Sequence, residues 1–241
     1  MSEMTKDYMT VFVIIPAKRL DNAKSRLASI FTDDERKHFC LKMLEDVLRT
    51  VKSTKRPHEI VVVSQDPMVS KTAKNFEAAY LKEGKMELNE AVSKGINWCV
   101  EMGAASVLIL PADIPLVMPR DLDRILVLGK KASMVISPSR NGKGTNALFL
   151  TPPKVSPTFY GPHSFRRHIK EAKKLKVSCR RYESPRLALD IDTIKDLSYF
   201  ISLKAKETSS YKMLEEMKAA NKFEIRERRR TNWNRRGELI G

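Results

Sequence analysis

Cysteine is scarce in this chain of 241 residues: Cys40, Cys99 and Cys179 are the three, far apart and each inside a mixed or apolar stretch. With no CxxC pair and no Cys/His cluster, the sequence offers no zinc or iron–sulfur ligand set, and three isolated thiols suit a reducing compartment. Long apolar runs are also missing. No segment approaches the roughly 20 apolar residues needed to span a bilayer, and residues 1–10 are polar, so a cytoplasmic location is expected. Aromatics make up only 7% of the chain against a hydrophobic content of 42%, which assigns the core mainly to aliphatic side chains. The nine glycines form neither a GxxxxGK[ST] loop nor a GxSxG elbow. The first absence excludes a Walker A phosphate cradle, and the second removes the support for acyl transfer through an activated serine.

Acidic residues are outnumbered, 29 Asp and Glu against 45 Lys and Arg, for a net charge of +16. Such a charge attracts polyanions, but its distribution decides what it means. Part of it lies in the C-terminal stretch, as Arg226, Arg228, Arg229, Arg230, Arg235 and Arg236. The rest is interleaved with acids along helical segments, the pattern of a solvated face, which argues against a dedicated nucleic-acid surface.

Short apolar runs alternate with amphipathic stretches. Val11 to Ile15 reads as a buried strand ended by Pro16, and Thr32 followed by Asp33, Asp34 and Glu35 reads as a helix start. Leu41, Leu44, Val47, Leu48 and Val51 give that helix one apolar face. Strands are predicted at Glu59 to Val63, Ala78 to Leu81, Ser106 to Leu110, Ser133 to Ile136, Ala147 to Leu150 and Val177 to Tyr182. Helices are predicted at Pro67 to Lys74, Leu88 to Met102, Pro119 to Leu128, Ser164 to Lys174 and Thr193 to Leu203. The alternation predicts an α/β fold with a Rossmann-like, mostly parallel sheet covered by helices on both faces. One domain is expected over residues 1–203, with 204–241 an appended basic tail, helical arm or dimer arm.

In an open α/β sheet, ligands bind at the carboxyl ends of the strands, and four segments there carry functional-looking residues. After the first strand, Lys18, Lys24 and Arg26 lie on one loop, suited to a triphosphate, although a solvated basic loop has the same composition. After Leu110, Asp113 stands between Pro111 and Pro115. Mg²⁺ takes one or two carboxylates plus phosphate oxygens and waters, and Asp113 lies too far upstream of Pro119 to be a simple helix cap. In Leu187 to Leu197, alternating Leu and Asp at a strand end could project Asp190 toward the same metal, with Asp192 or Thr193 opening the next helix. Lastly, Gly161-Pro162 leads to Ser164 at a helix start, offering amides and a hydroxyl to an anion. His163 and His168 lack metal-ligand spacing and are read as incidental or substrate-facing.

Together these segments resemble the 2-phospho-L-lactate guanylyltransferases of coenzyme F420 biosynthesis. The resemblance is carried by I-P-A-K-R-L and A-K-S-R-L after the first strand, P-A-D-I-P-L at 111–116, G-T-N-A-L at 144–148, G-P-H-S-F at 161–165 and L-D-I-D-T-I-K-D-L at 189–197, over roughly residues 10–203. It implies a nucleotidyltransferase of the nucleotide-diphospho-sugar transferase type with a glycosyltransferase-A-like sheet. The implied reaction is GTP plus 2-phospho-L-lactate giving lactyl-2-diphospho-5'-guanosine and pyrophosphate. It implies Mg²⁺ on Asp113 and Asp190, and a triphosphate against Lys18, Lys24 and Arg26. Thr145, Gly161 and Ser164 would lie near the acceptor, and Ser64 and Asn89 near the nucleobase and ribose. Some relatives accept phosphoenolpyruvate or 3-phosphoglycerate instead. A molybdopterin or sugar-phosphate nucleotidyltransferase would carry a glycine-rich loop after the first strand, which this chain lacks. A homodimer is expected.

Overall fold

The computed structural model describes residues 10–54, 59–82, 84 and 87–217. A single seven-stranded sheet organises them: β1 (Val11–Pro16), β2 (Glu59–Ser64), β3 (Ala79–Lys82), β4 (Ser106–Ile109), β5 (Met134–Pro138), β6 (Thr145–Leu150) and β7 (Cys179–Arg181), in spatial order β3-β2-β1-β4-β6-β5-β7. β1, β2, β3 and β4 run parallel, whereas β6 is antiparallel to both β4 and β5. Because of that reversal, the start of β6 stands at the same sheet edge as the ends of β1, β2 and β4. Residues Gly144 to Asn146 thereby join the carboxyl edge, which periodicity alone does not disclose.

Both faces are covered. Side chains alternate along β1: Val11, Val13 and Ile15 pack toward one layer with α1 (Asp33–Ser53), α2 (Pro67–Asn75) and α4 (Pro119–Gly129). Phe12 and Ile14 pack toward the other, with α3 (Leu88–Glu101) and α5 (Ser164–Lys174). This period-2 split of an apolar run is what a strand buried on both faces requires. The helices come close: a Cβ on Gly95 would stand 2.7 Å from Ile14 Cγ2, and one on Gly129 only 2.4 Å from Phe149 Cε1. A third cluster joins α1 to the coil that follows the one-turn helix α6 (Pro185–Ala188), to α7 (Ile194–Ser202) and to α8 (Ser209–Glu216) through Phe39, Leu189, Leu197, Phe200 and Tyr211.

Thr32 caps α1 in a reciprocal capping box with Glu35, as the run of acids suggests. Asp46, buried on α1, accepts from the Ser209 and Ser210 amides and from Ser210 Oγ, and so caps α8 from outside. Two expectations are corrected. The strand expected over Val177 to Tyr182 is confined to Cys179–Arg181, a short edge strand. Leu187 to Asp192 is not a strand end: α6 closes at Ala188 and residues 189–192 follow as extended coil. Of the tail, α8 is described, while residues 218–241, the expected arm, lie outside the described residues. None of the described helices is long and apolar enough to cross a membrane.

Candidate active site

The carboxyl edge of the sheet encloses a cavity of about 490 Å³ whose walls include Lys18, Lys24, Arg26, Asp113, Thr145, Gly161, Ser164 and Asp190. Five stretches far apart in sequence meet there. β1 delivers the basic loop, β4 the Asp113 turn, the reversed β6 Thr145 and Asn146, the turn into α5 Gly161 and Ser164, and α6 the Asp190 coil.

Asp113 and Asp190 are brought together by backbone and side-chain contacts. The Ile191 amide donates to the Asp113 carbonyl at 3.1 Å, which stitches the two segments. Asn146 Nδ2 donates to Asp190 Oδ1 at 3.0 Å and to the Leu187 carbonyl at 2.9 Å, so one amide fixes both the carboxylate and the turn that carries it. Burial first, then the negative charge of Asp113, raises the Asp190 pKa to about 6. A buried carboxylate beside a second negative charge is a place where a cation is welcome.

Lys24 supplies a positive charge to this group. Its backbone is left-handed, φ 52°, a conformation uncommon outside glycine, and its ammonium turns inward. Nζ donates to Asp113 Oδ2 and to Asp192 Oδ1, both at 2.5 Å. Burial would lower the Lys24 pKa, but Asp113 and Asp192 overcome it and raise it. Burial likewise opposes the charge on Asp192, and Lys24 reverses the balance, lowering its pKa. The contact takes only one oxygen of Asp113. The other, Oδ1, is buried with no hydrogen-bond partner, which an ordinary buried carboxylate avoids. That orphaned acceptor beside a second carboxylate fits a Mg²⁺ ligand set. Among the described residues no group of three or more His, Cys, Asp or Glu is arranged to hold a metal, so a Mg²⁺ here would complete its shell with phosphate oxygens and water.

Lys18 and Arg26 are exposed at the mouth, able to meet an anion. Opposite them, Ser164 opens α5 and its Oγ lies 3.1 Å from Thr145 Oγ1. Gly161, φ 115°, makes the turn before it, a conformation strained for any side chain. Cys40 also lines the cavity, but burial pushes its thiol up to about 12, so it offers no thiolate.

Ser64 and Asn89 stand apart from this wall. Ser64 is fully buried, its hydroxyl accepting from the Asp66 amide and its carbonyl from Tyr80 Oη. The Asn89 amide is spent on the Tyr160 backbone, donating to its carbonyl at 3.0 Å and accepting from its N–H at 2.6 Å, so it braces the Gly161 turn from behind. Asp192 was expected as one of two candidates to open the helix. Thr193 does so, freeing Asp192 to bind Lys24. The role of Asn146 is not legible in the sequence; the i, i+2 spacing of Asp190 and Asp192 points both carboxylates to one face but does not disclose the Lys24 partner of Asp192.

Residues 11–236 match the family described as "Guanylyl transferase CofC like". A phosphoenolpyruvate guanylyltransferase of Rubrobacter xylanophilus is 38% identical over 191 residues, covering 79% of this chain and 93% of that protein. A 2-phospho-L-lactate guanylyltransferase of Methanocaldococcus jannaschii is 36% identical over 186 residues, covering 77% and 80%. Among solved structures, a cytidylyltransferase from Leptospira borgpetersenii shares the fold with a TM-score of 0.58 at 18% identity, over 90% of this chain and 97% of that one. A nucleotidyl transferase from Methanothermobacter does so at 0.60 and 14%, over 79% and 95%. With the sheet, the paired aspartates and the basic loop in place, the chain belongs to the CofC-like guanylyl transferase family and is a nucleotidyltransferase.

Proposed function

We propose that the protein transfers GMP from GTP to 2-phospho-L-lactate, giving lactyl-2-diphospho-5'-guanosine and pyrophosphate, as in coenzyme F420 biosynthesis. The observation that carries this reading is the pairing of Asp113 and Asp190 at the carboxyl edge, with an orphaned Asp113 oxygen and a cationic loop alongside. Asp113 and Asp190 would hold Mg²⁺, whose contribution when bound is to neutralise phosphate charge. An acceptor phosphate monoester is already largely ionised near neutral pH, so its oxygen can attack the α-phosphorus in line without a protein base. The chain's task is then positioning and charge neutralisation. Lys18 and Arg26 would hold the outer phosphates and the departing pyrophosphate. Thr145, Ser164 and the Gly161 turn would orient the acceptor, supported by their shared wall of the cavity.

A second reading is the same chemistry on phosphoenolpyruvate, favoured by the 38% identity to a relative of that name. Both acceptors are three-carbon phospho-acids, and the wall described suits either. Pyrophosphate release in Mg²⁺ separates them when each nucleoside triphosphate is crossed with 2-phospho-L-lactate, phosphoenolpyruvate and 3-phosphoglycerate. Release with GTP and 2-phospho-L-lactate alone is the expected result. Release with phosphoenolpyruvate alone would replace the acceptor, and silence from folded protein would overturn guanylyl transfer.

A further inference from the structure

His168 is the one fully buried histidine among the described residues, and the mechanism above gives it no part. It sits on α5, one turn beyond Ser164, with the rings of Phe159 and Tyr160 edge-on at 5.9 and 5.4 Å. Its two nitrogens meet different partners. The Phe159 backbone N–H points at Nε2, 2.9 Å away, while Nδ1 lies 3.2 Å from Thr145 Oγ1.

These contacts fix the tautomer. A backbone N–H can only donate, so Nε2 must be the unprotonated nitrogen. A charged ring would set two N–H groups against each other, and burial independently lowers the His168 pKa to about 4, against the milder opposing effect of the Ser164 carbonyl. The ring is therefore neutral with its proton on Nδ1, on the side of Thr145 Oγ1 and the Ser164 carbonyl.

Protons can now be counted. Three hydrogens belong to the group: Nδ1–H, the Thr145 hydroxyl and the Ser164 hydroxyl. Two internal contacts join its members, His168 to Thr145 and Thr145 to Ser164. Because a protonated Nδ1 accepts from neither hydroxyl, one of the two hydroxyl hydrogens fills the Thr145–Ser164 contact and the other is left to donate outside the group. Thr145 and Ser164 both face the cavity. With the opposite tautomer, Nδ1 would be an acceptor, the Thr145 hydroxyl would turn back to it, and the outward donor would be lost.

We propose that His168 is a positioning residue that, by donating from Nδ1 to Thr145, obliges the Thr145–Ser164 hydroxyl pair to present a hydrogen-bond donor to the anionic group of the acceptor. The proposal rests on the acceptor wall assigned above, and deepens it by naming what sets the polarity of that wall. The same ring anchors the Phe159 amide two residues before Gly161, so one side chain ties the hydroxyl pair to the turn.

Two amide variants divide these jobs. In His168→Asn the side-chain amide reaches the Nδ1 position and can still donate to Thr145. In His168→Gln the amide reaches the Nε2 position, where it can hold Phe159 but leaves Thr145 without its donor. The expected result is an acceptor KM raised about tenfold in His168→Gln, the loss of roughly one hydrogen bond to a charged group, with GTP KM unchanged. His168→Asn should recover most of the loss, and Thr145→Val combined with His168→Gln should be no worse than Thr145→Val alone. Equal defects in Gln and Asn variants, a loss that falls on GTP KM, or additive effects would overturn the proposal. Nitrogen-15 shifts of the His168 ring in the free wild-type protein read the tautomer without any reaction. Protonated Nδ1 is expected and protonated Nε2 would overturn it. Wild-type protein that turned over no acceptor would overturn the reaction instead, a failure the tautomer measurement does not share.

Discussion

Replacing Lys24 by Met tests whether the buried ammonium holds the acidic cluster together. The methionine keeps most of the apolar stem and removes only the charge. Lys24 Nζ is 2.5 Å from oxygens of both Asp113 and Asp192, and the three side chains are 9%, 25% and 48% exposed. Stranding a fully buried charge costs roughly 3–5 kcal/mol. Here both carboxylates keep some water, and Asp192 keeps about half of its side-chain exposure, so about 2 kcal/mol is the reasoned cost. For a chain of this size, that corresponds to a melting temperature lower by about 4–8 °C. Calorimetric or circular-dichroism melts without added divalent ions would read it. Adding Asp192→Asn should restore part of the loss, because it removes one of the charges left unpaired. A Lys24→Met protein that melts with the wild type, or a double variant whose losses simply add, would refute the view that this lysine neutralises the cluster.

Removing the amide in Asn146→Ala should lower turnover by about 10- to 100-fold with little change in melting temperature, because a side chain that orients a metal-binding carboxylate acts on the site more than on the core; unchanged kinetics would remove Asn146 from the site. His168, neutral at about pH 4 and above in the fold against about 6.5 when unfolded, has a depressed pKa. Its contribution is full above pH 6.5 and is lost as the pH falls toward 4, reaching about 3 kcal/mol. Denaturant titrations across that range should show the loss in wild type and not in His168→Asn; parallel curves would count against a neutral buried ring. Gly129→Ala should destabilise by about 1–3 kcal/mol through overpacking, since its Cβ would stand 2.4 Å from Phe149 Cε1; an unchanged denaturation midpoint would contradict the close approach of α4 to the sheet.

The parts legible in the sequence were those governed by local rules. Val11 to Ile15, Val61 to Val63 and Ser106 to Ile109 are apolar enough to be read as buried strands, and Thr32 with Glu35 announces a helix start. The position of Asp113 at the carboxyl edge was legible because it directly follows a buried apolar strand. What escaped depended on pairing across the chain. The direction of β6 is set by its register on β4 and β5, and no periodicity encodes it, yet that direction brings Asn146 to Asp190. The Lys24 conformation, left-handed without glycine, cannot be read from residue types. His168 reads as incidental or substrate-facing, because a histidine amid basic residues on a helix has no local mark of burial. Its partners, Phe159 and Thr145, are fixed only once α5 packs on the sheet.

The most direct test of the account is pyrophosphate release from GTP and 2-phospho-L-lactate in Mg²⁺, by wild type and by Asp113→Asn of equal melting behaviour. Turnover in wild type that is lost by at least about a thousandfold in Asp113→Asn is the predicted result, as for removal of a group that stabilises charge in the transition state. Substantial Mg²⁺-dependent turnover in the folded variant would contradict the placement of the reaction between Asp113 and Asp190.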